Sequence, residues 1–401
     1  MKRILYIHQY FLTPKQPGGT RSYWIAKKMI ENGFGVTMIT SDSNPKSRKV
    51  KRINIDGIDV IYIPNPYDNK MGFIKRLISF LKFMFRATYY SLKEKNVDLV
   101  FATSTPLTVG VPALVKKWFQ KVDFVFEVRD LWPEVPIQMG ALKNPILKSI
   151  GLKLEKIIYK NARHVITLSP GMEKGVLRYK FMEGKTSMIP NMSKPDIFFP
   201  RKIEKEKISD FKIDIKKFNV VHFGAMGIAN GLDYITNAAI HSKTIGNDLI
   251  QFHFLGKGKV EEELKEIKAK KKLDNVHFHG AHPMESLSHF VNACNLSLVT
   301  FKDLPILRTN SPNKLFDSLS AGKPIIVNSS GWTKDLVEEH RCGMYVSPRE
   351  PKDLIEKITF LNENKNVLKE MGDNSRKISI SLYNKDLLSL RVFQEVKKHI
   401  I

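Results

Sequence analysis

Short β-branched apolar runs alternate with stretches of helical periodicity along the whole chain. In the first half, Arg3–His8, Val36–Thr40, Asp59–Ile63, Asp98–Ala102, Phe124–Val128 and His164–Leu168 predict strands. The pattern restarts with Asn219–Phe223, Gln251–Leu255, Val276–His279, Leu296–Thr300, Pro324–Val327 and Met344–Val346. Strands that alternate with helices predict parallel sheets of α/β type. Between the two runs, Ser193–Lys217 is rich in lysine, poor in aliphatics and broken by two prolines, which marks a linker and a surface excursion. The chain therefore reads as one α/β domain over residues 1–195, a second over 196–380, and a terminal helix over 381–401 that packs back on the first. Two such halves are expected to face each other across a cleft, with ligands at the carboxyl ends of the strands.

One predicted helix stands apart. Residues Gly72–Glu94 read GFIKRLISFLKFMFRATYYSLKE. At ~100° per residue, Phe73, Ile74, Leu77, Ile78, Phe80, Leu81, Met84, Phe85, Tyr89 and Leu92 cover an arc of about 180°. That arc is expected to face the core. Lys75, Lys82, Arg86 and Lys93 cluster within about 40° on the other side, where Phe83 and Tyr90 lie beside them. Such a helix fits an interfacial membrane anchor, with Phe73, Lys75, Arg76, Lys82, Phe83, Arg86 and Tyr90 as the expected contacts. A core helix with a solvated basic face gives the same pattern.

Charge sharpens this picture. The chain of 401 residues carries 65 Lys and Arg against 40 Asp and Glu, a formal net charge of +25. Residues 1–200 hold 33 basic and 15 acidic side chains, and the remainder 32 and 25, so the excess is concentrated in the first half. An anionic surface partner is implied, such as an anionic membrane face or a phosphorylated substrate. Nucleic acid is not expected, because the basic residues are spread over helices with no recognition motif or zinc spacing. With 42% hydrophobic residues the composition is that of a globular chain. No apolar run of ~18 residues predicts a membrane span. Two cysteines, Cys294 and Cys342, make no disulfide framework, and a reducing cytoplasm is the expectation.

Four segments carry candidate chemistry. After the first strand comes HQYFLTPKQPGGTRSYW, where Gly18 and Gly19 close a loop just before a helix, an arrangement that lets backbone amides approach a phosphate. FEVRDLWPE places Arg129, Asp130, Trp132 and Glu134 at the carboxyl end of a strand, where they can orient a sugar. HFGAMGIANG puts Gly224, Gly227 and Gly231 between a strand and a helix. RTNSPNKLFDSLSAGKP starts a helix near Ser311-Pro312, so that Asn313, Lys314 and Asp317 fall in its first turns. There Lys314 can meet a diphosphate and Asp317 can accept the hydroxyls of a ribose.

Taken together, the Gly-Gly loop, Pro190-Asn191, the GAMG loop, LGKG and DSLSAGKPII resemble the GT-B glycosyltransferases of family 4, along essentially the whole chain. The SPNK and RDLWPE segments are most similar to the WbuB-type fucosamine transferases of O-antigen and capsule assembly. The resemblance implies two Rossmann-like domains and a retaining transfer from a UDP-sugar, with an N-acetylated deoxyhexosamine such as L-FucNAc as the expected donor sugar. It implies a polyprenyl-diphosphate-linked saccharide as acceptor, and a site on the inner face of the cell membrane. Asp317 takes the place of the second acid of the family's E-x7-E pattern, and Thr309 replaces the first. The Arg and Lys that often clamp the diphosphate fall on Ala225 and Asn230, so Lys314, with Arg308, is expected to supply the charge. Asp130 stands where many relatives place an acceptor-facing His.

The donor site is thus expected to comprise Gly18, Gly19, Gly224, Gly227, Arg308, Ser311, Asn313, Lys314 and Asp317, and the catalytic groups Lys314, Asp130, Arg129 and Glu134. No cofactor is expected. The sequence has no DxD carboxylate pair in a suitable loop, and the family implied by the resemblance generally dispenses with metal. Two other readings fit the same architecture: a non-hydrolysing UDP-sugar 2-epimerase, and a non-catalytic scaffold bound to a membrane surface.

Overall fold

The structure, a computed structural model, describes residues 1–68, 71–211 and 213–400, the side chains of Phe73 and Lys205 excepted. The chain forms two compact units. One contains Met1–Thr13, Thr20–Pro190 and Asp386–Ile401; the other contains Pro14–Gly19 and Asn191–Lys385. The main changeover follows Pro190, five residues before the domain boundary expected at residue 195.

The first unit is built on β1 (Arg3–Ile7), β2 (Gly35–Asp42), β3 (Lys51–Ile55), β4 (Ile58–Pro64), β5 (Leu99–Thr103), β6 (Phe124–Val128), β7 (His164–Thr167) and β8 (Thr186–Met188). They form one sheet in the order β3-β4-β2-β1-β5-β6-β7-β8. Every pair is parallel except β3 with β4. β1, β5 and β6 are buried almost throughout, as strands covered on both faces must be. The helices are α1 (Arg21–Glu31), α2 (Phe73–Lys93), α3 (Gly110–Gln120), α4 (Glu134–Gln138), α5 (Pro145–Asn161) and α6 (Pro170–Leu177).

The second unit adds α7 (Lys205–Ile208), β9 (Phe218–Phe223), α8 (Leu232–Thr244), β10 (Ile250–Leu255), α9 (Glu261–Lys271), β11 (Val276–Gly280), α10 (Met284–Ala293) and β12 (Leu296–Val299). After these come α11 (Asn313–Ser320), β13 (Ile325–Val327), α12 (Trp332–Glu339), β14 (Gly343–Tyr345), α13 (Pro351–Glu363) and α14 (Lys365–Ser381). Its sheet is wholly parallel, in the order β11-β10-β9-β12-β13-β14. A core of Val220, Phe252, Phe254, Leu298 and Ile326 lies against α8 and α13. The last helix, α15 (Lys385–Lys397), belongs to the first unit from Asp386 onward and sets Phe393 against Phe34 within it.

Two strands escape the pattern reading. β3, KRINI, is an exposed antiparallel edge, and β8, TSM, is three residues long.

The long helix forms where expected but is turned the other way. Phe83 is fully buried, with Ser79, Phe80, Ala87 and Ser91. Arg86 Nη1 donates to the Pro64 carbonyl at 2.7 Å, and the Arg76 guanidinium lies 6.0 Å from the centre of the Tyr67 ring. Tyr90 is half-buried against Tyr89. Of the expected membrane contacts, Lys75 and Lys82 are exposed; Phe83, Arg76 and Arg86 pack inward, and the Phe73 side chain lies outside the described residues. The physical reason is that apolar residues cover more than half of this helix, so periodicity does not decide which part faces in. On the buried side Ser79 finds a partner in Asn65 at 2.9 Å, as Arg86 does in the Pro64 carbonyl. Among the described residues no helix is long and apolar enough to cross a membrane.

Arg21 opens α1 and is 1% exposed. Its Nε donates to Glu127 Oε1 at 2.8 Å, and its Nη2 to the Ile189 carbonyl at 3.0 Å. Nη1 donates to the Pro190 carbonyl. Removing one partner of a buried ion pair leaves the other charge uncompensated, at a cost of ~3–5 kcal/mol. Glu127→Ala is expected to lower the unfolding free energy of the first unit by that amount, read as a lower urea midpoint; an unchanged midpoint would refute the assignment.

Candidate functional site

In the first unit, the carboxyl ends of β1, β5 and β6 bring together a polar group. His8 follows β1 and is buried; its Nδ1 is 2.8 Å from Ser22 Oγ, and its Nε2 is 3.4 Å from Arg129 Nη1. The Arg129 backbone N–H donates to Ser104 Oγ at 3.0 Å, and Thr105 Oγ1 donates to Asp130 Oδ2 at 2.8 Å. Burial raises the Asp130 carboxyl above its usual value, against the Thr105 hydroxyl and Arg129. Burial, helped by Arg129, holds the His8 imidazole well below its ordinary value. His8 is therefore neutral near pH 7.

Glu134 does not join this group. Its Oε2 lies 3.7 Å from Arg178 Nη1, and Arg178 also pairs with the buried Glu155. Trp132 packs edge-on to Phe80 of α2. His8, Ser22 and Thr105 were not singled out from sequence; the signal for His8 was its place immediately after the first buried strand.

In the second unit the site lies at the carboxyl end of β9. Gly224 turns the chain with φ +109°, and a single 3-10 turn, Ile228–Asn230, follows Gly227. Gly256, with φ +147°, backs the turn so closely that a Cβ there would meet the Gly224 carbonyl oxygen at 1.8 Å. Into this loop α11 delivers Lys314. Its Nζ donates to Asn230 Oδ1 at 2.9 Å and lies 3.1 Å from His222 Nε2. Asn230 in turn donates from Nδ2 to the Ala225 carbonyl at 2.9 Å. The two positions that depart from the family clamp, Ala225 and Asn230, are thus tied to the lysine itself. Among the described residues no carboxylate pairs with this ammonium, and burial lowers it to about 7. His222 is pushed well below its ordinary value by burial and by Lys314.

The other expected donor residues are arranged differently. Asp317 Oδ1 is 2.5 Å from Lys194 Nζ, and burial raises the carboxyl despite that lysine. Ser311 is engaged by the chain: its Oγ accepts from the Asn191 N–H at 3.3 Å and its carbonyl from Asn191 Nδ2 at 2.5 Å. Helix α11 begins at Asn313 with Pro312 as its cap, and Ser311 makes no capping bond. Arg308 is turned to Asp303 at 3.0 Å, a carboxylate it shares with Arg349. Thr309, in place of the first acid, donates to the Ile306 carbonyl at 2.7 Å. Gly18, with φ +138°, and Gly19 belong to the second unit, although the strand before them and the helix after them belong to the first. Lys194 and His222 were missed because nothing nearby in sequence pairs with them.

Away from these sites, His164, Glu395 and His399 bring one ligand atom each to within 4.8 Å of one another. His164 Nε2 is already 2.8 Å from Ser187 Oγ, and Glu395 Oε2 accepts from Lys398 at 2.8 Å, so the cluster serves as a polar clasp for the end of the chain.

A buried ammonium among neutral partners, at a glycine turn, is a site for an anion. Residues 203–378 match the family Glycosyl transferases group 1, and residues 18–192 match the Glycosyl transferase 4-like domain. This chain is a GT-B glycosyltransferase. The probable glycosyltransferase WbjE of Pseudomonas aeruginosa is 22% identical over 376 residues, covering 90% of each chain. Sucrose-phosphate synthase from Thermosynechococcus elongatus superposes with a TM-score of 0.79 at 17% identity, covering 99% of each chain. HepE of Anabaena, in complex with UDP and glucose, gives 0.72 at 16% identity, covering 99% of this chain and all of its own.

Lys314 provides a pH test. In the free protein its charge is present below about pH 7 and lost above it. The affinity for inorganic diphosphate, measured calorimetrically, should therefore weaken by about tenfold between pH 6 and 8.5 relative to Lys314→Met, in which this component is absent. Parallel pH profiles for the two proteins would refute the assignment.

Proposed function

We propose that this glycosyltransferase moves a hexosyl group from a UDP-sugar, with retention of configuration, to a polyprenyl-diphosphate-linked saccharide. The observation that carries the reading is Lys314, a desolvated ammonium held against a glycine turn by His222 and Asn230. Breaking the bond between an anomeric carbon and a nucleoside diphosphate puts growing negative charge on the leaving oxygen. Preformed donors aimed at that oxygen supply most of the acceleration in such reactions. The Lys314 ammonium and the amides of the turn from Gly224 to Gly227 are those donors. The burial of Lys314 costs free energy in the empty protein that an anionic leaving group recovers.

Front-face attack needs no enzyme nucleophile, and none is assigned: the departing phosphate accepts the proton of the acceptor hydroxyl. Asp130 and Arg129, beside neutral His8, orient that hydroxyl. Asp317 binds the ribose, with Lys194 holding its carboxylate in place. The charge that a metal would otherwise supply is assigned to Lys314, so no metal is required. UDP is the preferred nucleotide, supported by HepE, which has been captured with UDP and with UDP-glucose. An N-acetylated deoxyhexosamine such as L-FucNAc, and a role in O-antigen or capsule synthesis on the inner membrane face, rest on the likeness of SPNK and RDLWPE to the fucosamine transferases.

Calorimetric titration with UDP, GDP and ADP, without divalent metal, tests the reading. UDP should bind most tightly, and Asp317→Ala should weaken it by roughly tenfold. Lys314→Ala should lower kcat by about 10²–10³ with a smaller effect on donor KM. Failure of all three nucleotides to bind, or wild-type turnover in Lys314→Ala, would overturn it.

A further inference from the structure

Among the described residues, the turned helix α2 leaves one face exposed. Ile74, Ile78, Leu81, Phe85 and Tyr89 recur at helical spacing and form a stripe along it, with Ile74 71% and Phe85 68% exposed. Lys75 and Lys82, both exposed, border the stripe, and Lys93 Nζ lies 4.4 Å from the centre of the Tyr89 ring.

Neighbouring helices expose apolar side chains too. The crossovers from β4 to β5, from β5 to β6 and from β6 to β7 all advance across the sheet in one direction. Right-handed connections therefore place α2, α3 and α5 on the same side of it. Helix α3 packs against both of the others. Near its end it carries Trp118 and Phe119, of which Phe119 is 77% exposed, the highest value after Met1 for any large apolar residue among those described. Along α5, Ile146, Ile150 and Ile157 are exposed at helical spacing between Lys153, Lys156 and Lys160.

Acidic residues are almost absent here. The three helices carry a single acid, Glu155, which is buried against Arg178 and Tyr179. A lysine-rich composition alone does not produce this. Helices α9 and α13 of the second unit mix Glu or Asp with their lysines.

Exposed aliphatic and aromatic side chains bordered by lysines, with no exposed acid among them, are complementary to a surface that is apolar below and anionic above. We propose that the combined face of α2, α3 and α5 docks on an anionic phospholipid bilayer, with Phe85, Trp118, Phe119 and Ile146 entering the headgroup region. The inference rests on the proposed lipid-linked acceptor for the choice of a bilayer, and it assigns the contact to a different side of α2 from the one the basic stripe suggested. Two copies of the chain would bring two acid-free basic faces together, which disfavours self-association through it.

Sedimentation of the full chain with phosphatidylglycerol–phosphatidylcholine vesicles, and with phosphatidylcholine alone, tests the proposal. The wild type should bind the anionic vesicles, more weakly as salt rises, and should bind the neutral ones poorly. Phe85→Ser combined with Phe119→Ser should weaken binding by at least about tenfold, while Ile245→Ser, exposed in the second unit, should not. Acyl-brominated lipid should quench tryptophan fluorescence in the wild type and lose that effect in Trp118→Phe. UDP titration of the same variants separates the two readings. Retained UDP binding with no vesicle binding by the wild type would overturn the docking face and leave the donor site standing. Polyglutamate bound as tightly as anionic vesicles, without quenching by brominated lipid, would assign the face to an acidic protein and overturn the bilayer.

Discussion

A guanidinium removed from water must be surrounded by acceptors, and the first unit is organised around meeting that demand for Arg21. Its partners come from distant parts of the chain: Glu127 at the end of β6, and the carbonyls of Ile189 and Pro190 where the chain leaves β8. Two elements that share no local sequence are thereby fixed to the first turn of α1. Thr103 donates to the second Glu127 oxygen at 3.2 Å and is also 3.3 Å from the Tyr6 hydroxyl, which extends the arrangement to β1 and β5. The polar ends of β1, β5 and β6 are then held in register with one another. That is why His8, Ser104, Thr105, Arg129 and Asp130 converge.

The same reasoning distinguishes five of the chain's buried cations. Arg21 and Lys194 face carboxylates. Lys116 donates to the carbonyls of Ser91 and Glu94 and to Gln120, and Lys323 donates to the carbonyls of Asn292 and Cys294. These four join elements of the fold, and their acceptors compensate much of their desolvation. Lys314 has an imidazole and one amide oxygen, both neutral, and it lies beside a glycine turn rather than between packed elements. Its charge is the least compensated of the five. An ammonium left in that state serves binding better than it serves stability.

What could be read from the sequence follows from the range of each interaction. The alternating runs located twelve strands because burial on both faces writes a continuous apolar signal. β3 carried none, since KRINI is an exposed edge. Lys314, Asp317, Arg129 and Asp130 could be singled out as candidates because strand ends and helix starts are local features. Arg21 was read only as the opening of a helix after a glycine loop, because its carboxylate is 106 residues away. Lys194 lay in a stretch dismissed as linker, and Asp317, its partner, is what shows that the lysine has a fixed place. Glu134 was grouped with Arg129 and Asp130 by adjacency alone; the short turn of α4 directs it to Arg178 instead.

The turned helix carries a further lesson about amphipathic patterns. The inward side of α2 includes Ser79, Ser91 and part of Arg86, and its outward side includes Ile78, Leu81 and Phe85. For a helix whose outer side meets only water this inverts the usual economy, since burying polar groups is unfavourable and exposing apolar ones forgoes stabilisation. Two of the inward polar side chains and the residue after the helix are met individually, while the Ser91 hydroxyl has no hydrogen-bond partner among the described residues. Ser79 pairs with Asn65, Arg86 with the Pro64 carbonyl, and Glu94, just beyond the helix, with Arg52 at 2.8 Å. Each of these bonds restrains α2 in its turned orientation. The orientation is therefore set from inside, by specific polar contacts, and the apolar stripe outside follows from it. A stripe held outward in this way, joined by exposed apolar side chains on α3 and α5 and free of exposed acids, has the character of a surface built to be covered.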